Sequence, residues 1–295
     1  MTSSPLRIRS FAKVNLALSV LGRRTDGYHD IQTIFQTVNI FDEIEFRDCP
    51  RLELRCEGLP DVPTEENLVW KAAASFREML GLERGASITL RKNIPAGAGL
   101  GGGSSNAAAT LIGLSRFWNV RPPDSRLRSL AAGLGSDVPF FLSGGTALGA
   151  GRGEEISSLP DSPALPLVVI FPGIHVSTAE AYRSLNLGLT SSSGDHRIQR
   201  FCGQVKAGKR FLTEIFNDFE ASILPAYPPI REAKDFLVSR GSIAALLSGS
   251  GSSVFGFFSD EESAFAAARE SKRATWRVFP AKTLSRAEYF QNMFG

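Results

Sequence analysis

Cysteine, histidine, methionine and tryptophan each occur only three times in 295 residues, and tyrosine four times. The cysteines are Cys49, Cys56 and Cys202. An odd number with no C-x-x-C argues against a disulfide framework and against a structural zinc site. His29, His175 and His196 lie far apart, and neither H-E-x-x-H nor G-x-S-x-G occurs. That counts against zinc hydrolases and serine-elbow hydrolases. Long apolar runs are missing too: none approaches the ~18 residues of a membrane span, and the opening MTSSPLRIRS has no apolar signal core. Nor is there an excess of one charge. Lys and Arg total 33 against 30 Asp and Glu, a net +3. So small and evenly spread a surplus gives no case for nucleic acid, though it suits an anionic small molecule.

What is present is an ordinary globular mixture, 43% hydrophobic and 21% charged, long enough for one large domain or two smaller ones. Arg7–Val20 has strand composition with a break, followed by the turn-rich GRRTDGYHD and then by the β-prone IQTIFQTVNIFDEIEF. RLELRCEG alternates as a strand. From Asn67 to Leu80 apolar residues recur at Leu68, Ala72, Phe76 and Leu80, the spacing of an amphipathic helix. ASITLRKNIP is a further strand, ended by Pro95. Helices are expected after Ser104 or Ser105 and over Ser125–Leu134, and short β structure over SDVPFFLSGGTALGAGRGEEI. LPDSPALP, Leu159–Pro166, has linker composition. Beyond it come a buried strand, LVVIF, and helices near Thr178–Leu185, Ala221–Leu224, Ile230–Ser239 and Glu261–Ser271. SSSGDHRIQRFCGQ, Ser191–Gln204, is taken as a loop or short local element, and no element is assigned beyond Ser271. The fold class expected is α+β in two domains, residues 1–158 and 159–295.

One stretch carries chemistry by itself. PAGAGLGGGSSNAAAT, Pro95–Thr110, places clustered glycines between a strand and a helix start. There the backbone can curl several N–H groups toward one point, and the helix dipole adds positive potential: an anion site suited to phosphate. Gly97, Gly99 and Gly102 satisfy G-x-G-x-x-G. A dinucleotide fold would continue into a parallel strand and an acidic residue about 20 positions on, whereas WNVRPPDSRLRSL follows here. No Lys-Ser/Thr follows the glycines, against a Walker loop, and H-R-D and D-F-G are absent, against a protein kinase. A phosphate loop of another type remains.

The stretch PAGAGLGGGSSNAAATL resembles the phosphate motif of the GHMP kinases, whose members include galactokinase and the homoserine, mevalonate and phosphomevalonate kinases. AKVNLAL, Ala12–Leu18, resembles their amino-terminal motif, and LSGSGSSVFGFF, Leu247–Phe258, their carboxy-terminal one. GRRTDGYHDIQTIFQTV, ENLVWKAA and LGSDVPFFLSGGTALGAGRGE are similar to the branch acting on 4-diphosphocytidyl-2-C-methyl-D-erythritol in the non-mevalonate isoprenoid pathway. Phe11 stands where that branch often has proline, and Val14 where isoleucine is commoner.

The resemblance implies an N-terminal domain like ribosomal protein S5, which binds ATP, and a ferredoxin-like C-terminal domain. It implies ATP as phosphoryl donor with Mg2+, the 2-hydroxyl of the cytidine diphosphate methylerythritol as acceptor, and a bacterial cytoplasmic enzyme. Lys13 and Asp137 become the catalytic candidates. Pro95, Ala96, Gly97, Ala98, Gly99, Leu100, Gly101, Gly102, Gly103, Ser104 and Ser105 become the ATP loop, with Ser105 a candidate magnesium contact and Asn67 and Lys92 near adenine and ribose. Tyr28 and Tyr182 are expected to sandwich cytosine, with His29 reading its edge through the backbone. Asn15 and Thr178 are assigned to polar parts of the acceptor, and Gly249 and Gly251 to its second-domain side. By residue chemistry alone Asp137 is a turn or helix cap, Asn67 a helix N-cap, Lys92 a solvated strand end and Tyr182 a helix core residue. Two rivals stand beside this reading. One is a GHMP kinase for a mevalonate-like or sugar acceptor. The other is a non-catalytic nucleotide-binding protein, which the presence of both Lys13 and Asp137 disfavours.

Overall fold

The computed structural model describes residues 4–58, 63–185, 194–208 and 211–295. Two long strands lead, β1 (Leu6–Arg23) and β2 (His29–Arg47), paired antiparallel along nearly their whole length. The break expected in β1 is a set of irregularities in this ladder, at Phe11/Ala12, Asn15/Ala17 and Val20/Gly22. Such bulges bend a strand and re-aim its side chains.

Next come β3 (Leu52–Glu57), α1 (Leu68–Met79), β4 (Ala86–Arg91), α2 (Gly102–Phe117), α3 (Asp124–Leu134), α4 (Val138–Phe141), β5 (Thr146–Ala150) and β6 (Glu155–Ser158). The first sheet runs β3-β4-β2-β1, with β5 on β2 and β6 on β5. One face of that sheet packs on α1 and α2. Ile44, Phe46, Ile88 and Leu90 meet Val69, Ala72, Phe76, Ala108, Leu111 and Leu114 in one core. Alanines on α2 let that helix lie close to the strands. VPFF, expected within short β structure, is instead the single helical turn α4, with Pro139 in its first turn, where a missing N–H costs nothing.

The second sheet is β11-β7-β10-β9, antiparallel throughout, from β7 (Pro166–Phe171), β9 (Ala244–Leu247), β10 (Val254–Phe257) and β11 (Arg277–Lys282). Between β7 and β9 lie α5 (Thr178–Arg183), α6 (Gly194–Lys206), β8 (Phe216–Asn217), α7 (Glu220–Ala226) and α8 (Pro228–Ser239), and α9 (Glu261–Glu270) follows β10. The expected loop Ser191–Gln204 is largely α6; its first residues, 191–193, lie outside the described residues. Ile198, Phe201 and Val205 recur at helical spacing and are buried, while Gly194, Gly203 and the polar majority mask that stripe in the sequence.

The expected division after residue 158 falls at the end of β6. The chain beyond it does not stay apart. β8 pairs with Ala17 and Leu18 of β1 in parallel. The last helix, α10 (Arg286–Met293), returns to the first core, where Leu284, Tyr289 and Met293 are buried. Tyr289 donates its phenol proton to the carbonyl of Phe141 at 2.6 Å. No helix among the described residues is long and apolar enough to cross a membrane.

Candidate active site

A cleft of about 870 Å3 opens between the two sheets. Its floor comes from β1. Lys13 and Asn15 share one face of that strand, as alternation requires, and both line the cleft. The Lys13 ammonium donates to Asn15 Oδ1 at 2.7 Å; Asn15 Nδ2 donates to Thr33 Oγ1 at 2.8 Å; that hydroxyl donates to the Ala17 carbonyl at 2.8 Å. This relay fixes the lysine in place. Its side chain is 4% exposed and its nitrogen lies 3.4 Å from Asp137 Oδ2, on a side chain 30% exposed. Asp137 sits at the N-cap position of α4, yet its carboxylate makes no capping bond. It faces Lys13 and the cleft instead.

The glycine loop forms one wall. Gly97, Gly99 and Gly101 all have positive φ (62°, 77° and 67°) and line the cleft. Ala98 and Leu100 alternate with them, their side chains buried in the core. Carbonyls and amides divide in the same way. Ala98 O accepts from Ser253 N at 3.0 Å, Gly99 O from Ser248 Oγ at 2.9 Å, and Leu100 O from Lys13 N at 3.0 Å. The Ala98 N–H closes the turn over Ala96 and Gly97; among the described residues no protein group accepts from the N–H groups of Gly97, Gly99, Leu100 and Gly101. They are left for an anion, beside the N-terminus of α2. Ser104 and Ser105 differ sharply: Ser104 is partly exposed, whereas Ser105 is fully buried and accepts from Ser10 Oγ at 2.8 Å. The candidate magnesium contact at Ser105 is therefore corrected, because its hydroxyl is committed inside the protein.

Of the two remaining candidates at the ATP end, Asn67 keeps the capping role its chemistry suggests and Lys92 does not keep its own. Asn67 is the N-cap of α1, accepting from Val69 N at 2.9 Å while its amide donates to Cys56 Sγ at 3.2 Å. Lys92 is no solvated strand end: its side chain is 5% exposed and its ammonium pairs with Asp42. Neither residue lines the cleft.

The far end is aromatic. The His29 imidazole stacks on Tyr182, centroids 4.5 Å apart and planes 13° apart, and Phe219 meets Tyr182 edge-on at 5.0 Å. His29, expected to act through its backbone, thus brings its ring into the stack as well. Burial, and after it Arg23, holds that imidazole below its ordinary pKa. Burial, with Asp137 as the second cause, pushes the Tyr182 phenol up to about 12. Tyr28, 55% exposed, has the Arg152 guanidinium over its ring at 4.9 Å. Arg152 is held by Glu154 at 3.0 Å. Thr178 Oγ1 meets Ser250 Oγ at 3.2 Å, and Gly249 and Gly251 complete that wall. A Cβ at Gly249 would lie 3.4 Å from Lys13 Nζ, so the second glycine loop abuts the lysine.

Sequence reasoning passed over Arg23, Arg152, His175 and Arg183, all of which line the cleft. Arg23 and Arg152 stood in motifs already singled out, GRRTDGYHD and GAGRGE, and were the two with a signal to follow.

Comparison with known proteins agrees in both halves. A family model described as GHMP kinases N terminal domain matches residues 67–145, and one described as GHMP kinases C terminal matches residues 205–277. A Syntrophus aciditrophicus protein named 4-diphosphocytidyl-2-C-methyl-D-erythritol kinase is 43% identical over 95% of this chain and 99% of its own length. One of the same name from Geobacter sulfurreducens is 40% identical over 95% and 99%. A crystal structure of 4-(cytidine 5'-diphospho)-2C-methyl-D-erythritol kinase has a TM-score of 0.79 at 33% identity, covering 94% of this chain and 99% of that one. L. major mevalonate kinase in complex with R-mevalonate, at 15% identity and a TM-score of 0.70 over 96% and 97%, shares the fold.

Proposed function

The chain belongs to the GHMP kinases, in the 4-diphosphocytidyl-2-C-methyl-D-erythritol kinase family, and on that premise we propose that it transfers the γ-phosphoryl group of ATP to the 2-hydroxyl of that cytidyl compound. One arrangement supports the reading above all: the Lys13–Asp137 pair lies between a cradle of unclaimed N–H groups and an aromatic end suited to a base. The acceptor oxygen forms its bond to the γ-phosphorus as the bond from that phosphorus to the leaving ADP oxygen breaks, and the hydroxyl proton passes to Asp137. Lys13 stabilises negative charge on the acceptor oxygen and the transferred group. In a loose transition state such positioning and charge stabilisation do most of the work.

The triphosphate is assigned to Gly97–Gly103, the cytosine to the end formed by Tyr28, His29 and Tyr182, and polar parts of the acceptor to Asn15 and Thr178. Magnesium is proposed to enter with the triphosphate, since phosphate and water supply most ligands of such a hard cation. The partly exposed Ser104 in the first turn of α2 fits that ion; bound there, it would neutralise phosphate charge. A bacterial cytoplasmic setting belongs to the same reading.

The direct test is ADP release with magnesium, ATP and the cytidyl acceptor, alongside mevalonate, homoserine and galactose. Turnover with the cytidyl compound alone is the expected result. Turnover with another acceptor would keep the fold and sink the substrate assignment. Absence of turnover despite ATP binding would favour a non-catalytic nucleotide binder.

Arg152 offers a finer check on the aromatic end. A guanidinium over a partly exposed ring contributes about 0.5–1 kcal/mol. Arg152→Gln is therefore expected to raise KM for the acceptor about two- to fivefold, by that energy, and to leave KM for ATP unchanged in steady-state kinetics. A change confined to ATP would separate Arg152 from the acceptor.

A further inference from the structure

Asp42 is a fully buried carboxylate in β2, paired across the ladder with Ser10 of β1, and the phosphoryl-transfer chemistry makes no use of it. It accepts from four donors. Oδ1 takes the backbone N–H of Asn93 at 2.6 Å and of Ile94 at 2.8 Å. Oδ2 takes Asn106 Nδ2 at 2.8 Å and the Lys92 ammonium. Lys92 also donates to Asn106 Oδ1 at 3.0 Å, and Asn106 Nδ2 also donates to Ser10 Oγ at 2.9 Å. Ser10 continues to Ser105. The network is closed, so its geometry is strongly specified.

The position of these donors along the chain is what matters. Asn93 and Ile94 come immediately before the glycine loop, and Asn106 lies one turn into the helix after it. One side chain therefore holds both ends of the loop whose N–H groups face the cleft. A carboxylate so near an anion site would repel the anion unless its charge were cancelled. Lys92 cancels it: its nitrogen lies 3.1 Å from where a Cβ on Gly102 would stand, directly under the first turn of α2.

We propose that Asp42 is the positioning residue of the nucleotide end, clipping the glycine loop at its entry and its exit, with Lys92 as the internal counter-charge. The inference rests on the reading of that loop as the ATP site. It also gives Lys92 a part in ATP binding through the clip: it neutralises Asp42.

The test is direct titration of ATP and, separately, of the cytidyl acceptor into the unsubstituted protein and into Asp42→Asn. The substitution keeps the shape but leaves Lys92 without its counter-charge and turns an acceptor into a donor. The dissociation constant for ATP is expected to rise about tenfold or more, the scale of a lost charged hydrogen bond, while that for the acceptor holds within about twofold. Lys92→Gln should also weaken ATP, and the double substitution should cost less than the two single losses multiplied, because the pair acts through mutual neutralisation. A purely structural role predicts instead that both ligands weaken together as folded protein is lost, or that neither does. Either of those results overturns the proposal. If Asp42→Asn does not fold, Asn106→Ala removes the exit clip, together with the Asn106 bonds to Lys92 and Ser10, and spares the entry clip; about a threefold loss in ATP affinity is then expected, and unchanged affinity overturns the proposal. Failure of the unsubstituted protein to bind ATP would overturn the kinase reading and the clip together; ATP binding that Asp42→Asn leaves unchanged would overturn the clip alone.

Discussion

Asp137→Asn is expected to lower kcat by about 10^2- to 10^4-fold, the range of a positioned acid–base group, with both KM values changed only a few-fold. The prediction follows from what the carboxylate does and does not touch. It makes no capping bond at α4, so the turn does not depend on it. Its partner is Lys13 at 3.4 Å, itself held by Asn15 at 2.7 Å. Neutralising Asp137 leaves that ammonium in place. Asp137 is 30% exposed but Lys13 only 4%, so the substitution leaves a buried ammonium without its counter-charge, and a folding cost of about 1–3 kcal/mol is expected in a thermal melt. Asn can still accept a hydrogen bond and orient a hydroxyl, but it cannot take the proton. Comparison with Asp137→Ala thus divides the two contributions: if Asn and Ala fall equally, proton transfer dominates, and if Asn keeps much more activity, orientation does. Retention of more than about a tenth of kcat in both variants would remove Asp137 from the chemistry altogether.

Gly99→Ala is expected to weaken ATP binding by more than about 100-fold and to destabilise the protein by about 2 kcal/mol or more. Gly99 has φ +77°, a region costly for any residue with a Cβ. A Cβ there would stand 2.1 Å from the Ser248 carbonyl oxygen and 2.9 Å from that of Gly251. Both obstacles are backbone, so no rotamer change relieves them. The two glycine loops would have to part, breaking the bond from Ser248 Oγ to Gly99 O and moving the cradle off the cleft. Gly133→Ala, in α3 where a Cβ meets nothing within 4 Å, is the control, expected to leave ATP binding unchanged. Calorimetric titration with a thermal melt checks both. Near-normal ATP affinity in Gly99→Ala would mean that the loop tolerates a shift this packing does not permit.

Local signals carried much of the architecture. α1 and the Gly-rich entry to α2 were legible because apolar spacing and clustered glycines lie within a few residues of each other. The break in β1 was legible from its composition, though the bulges that cause it became visible only in the pairing with β2. Asp42 is different. Its four donors come from two segments, Lys92–Ile94 and Asn106, some 50 or more positions along the chain, and nothing about an Asp in a strand says that a distant lysine will meet it. Lys92 therefore looked like a strand end in water. The backbone role of His29 came from the resemblance, and the stacking of its ring on Tyr182 depends on where α5 settles, which no local pattern encodes. α10 went unassigned because QNMFG and its neighbours give a weak stripe of their own. Its burial is decided by a core built almost entirely from the first half of the chain.

That last packing gives protein synthesis a particular order. Gly144 leaves room for the ring of Tyr289, which a Cβ there would approach to 2.4 Å. Leu284, Tyr289 and Met293 thus close a core whose other buried members were translated long before. While the ribosome is still making the second half, the nascent first half holds an apolar socket with nothing to fill it. The kinase scaffold can be completed only after the chain has returned, so premature termination near Thr283 would release a product with an open core, exposed to chaperones and proteases.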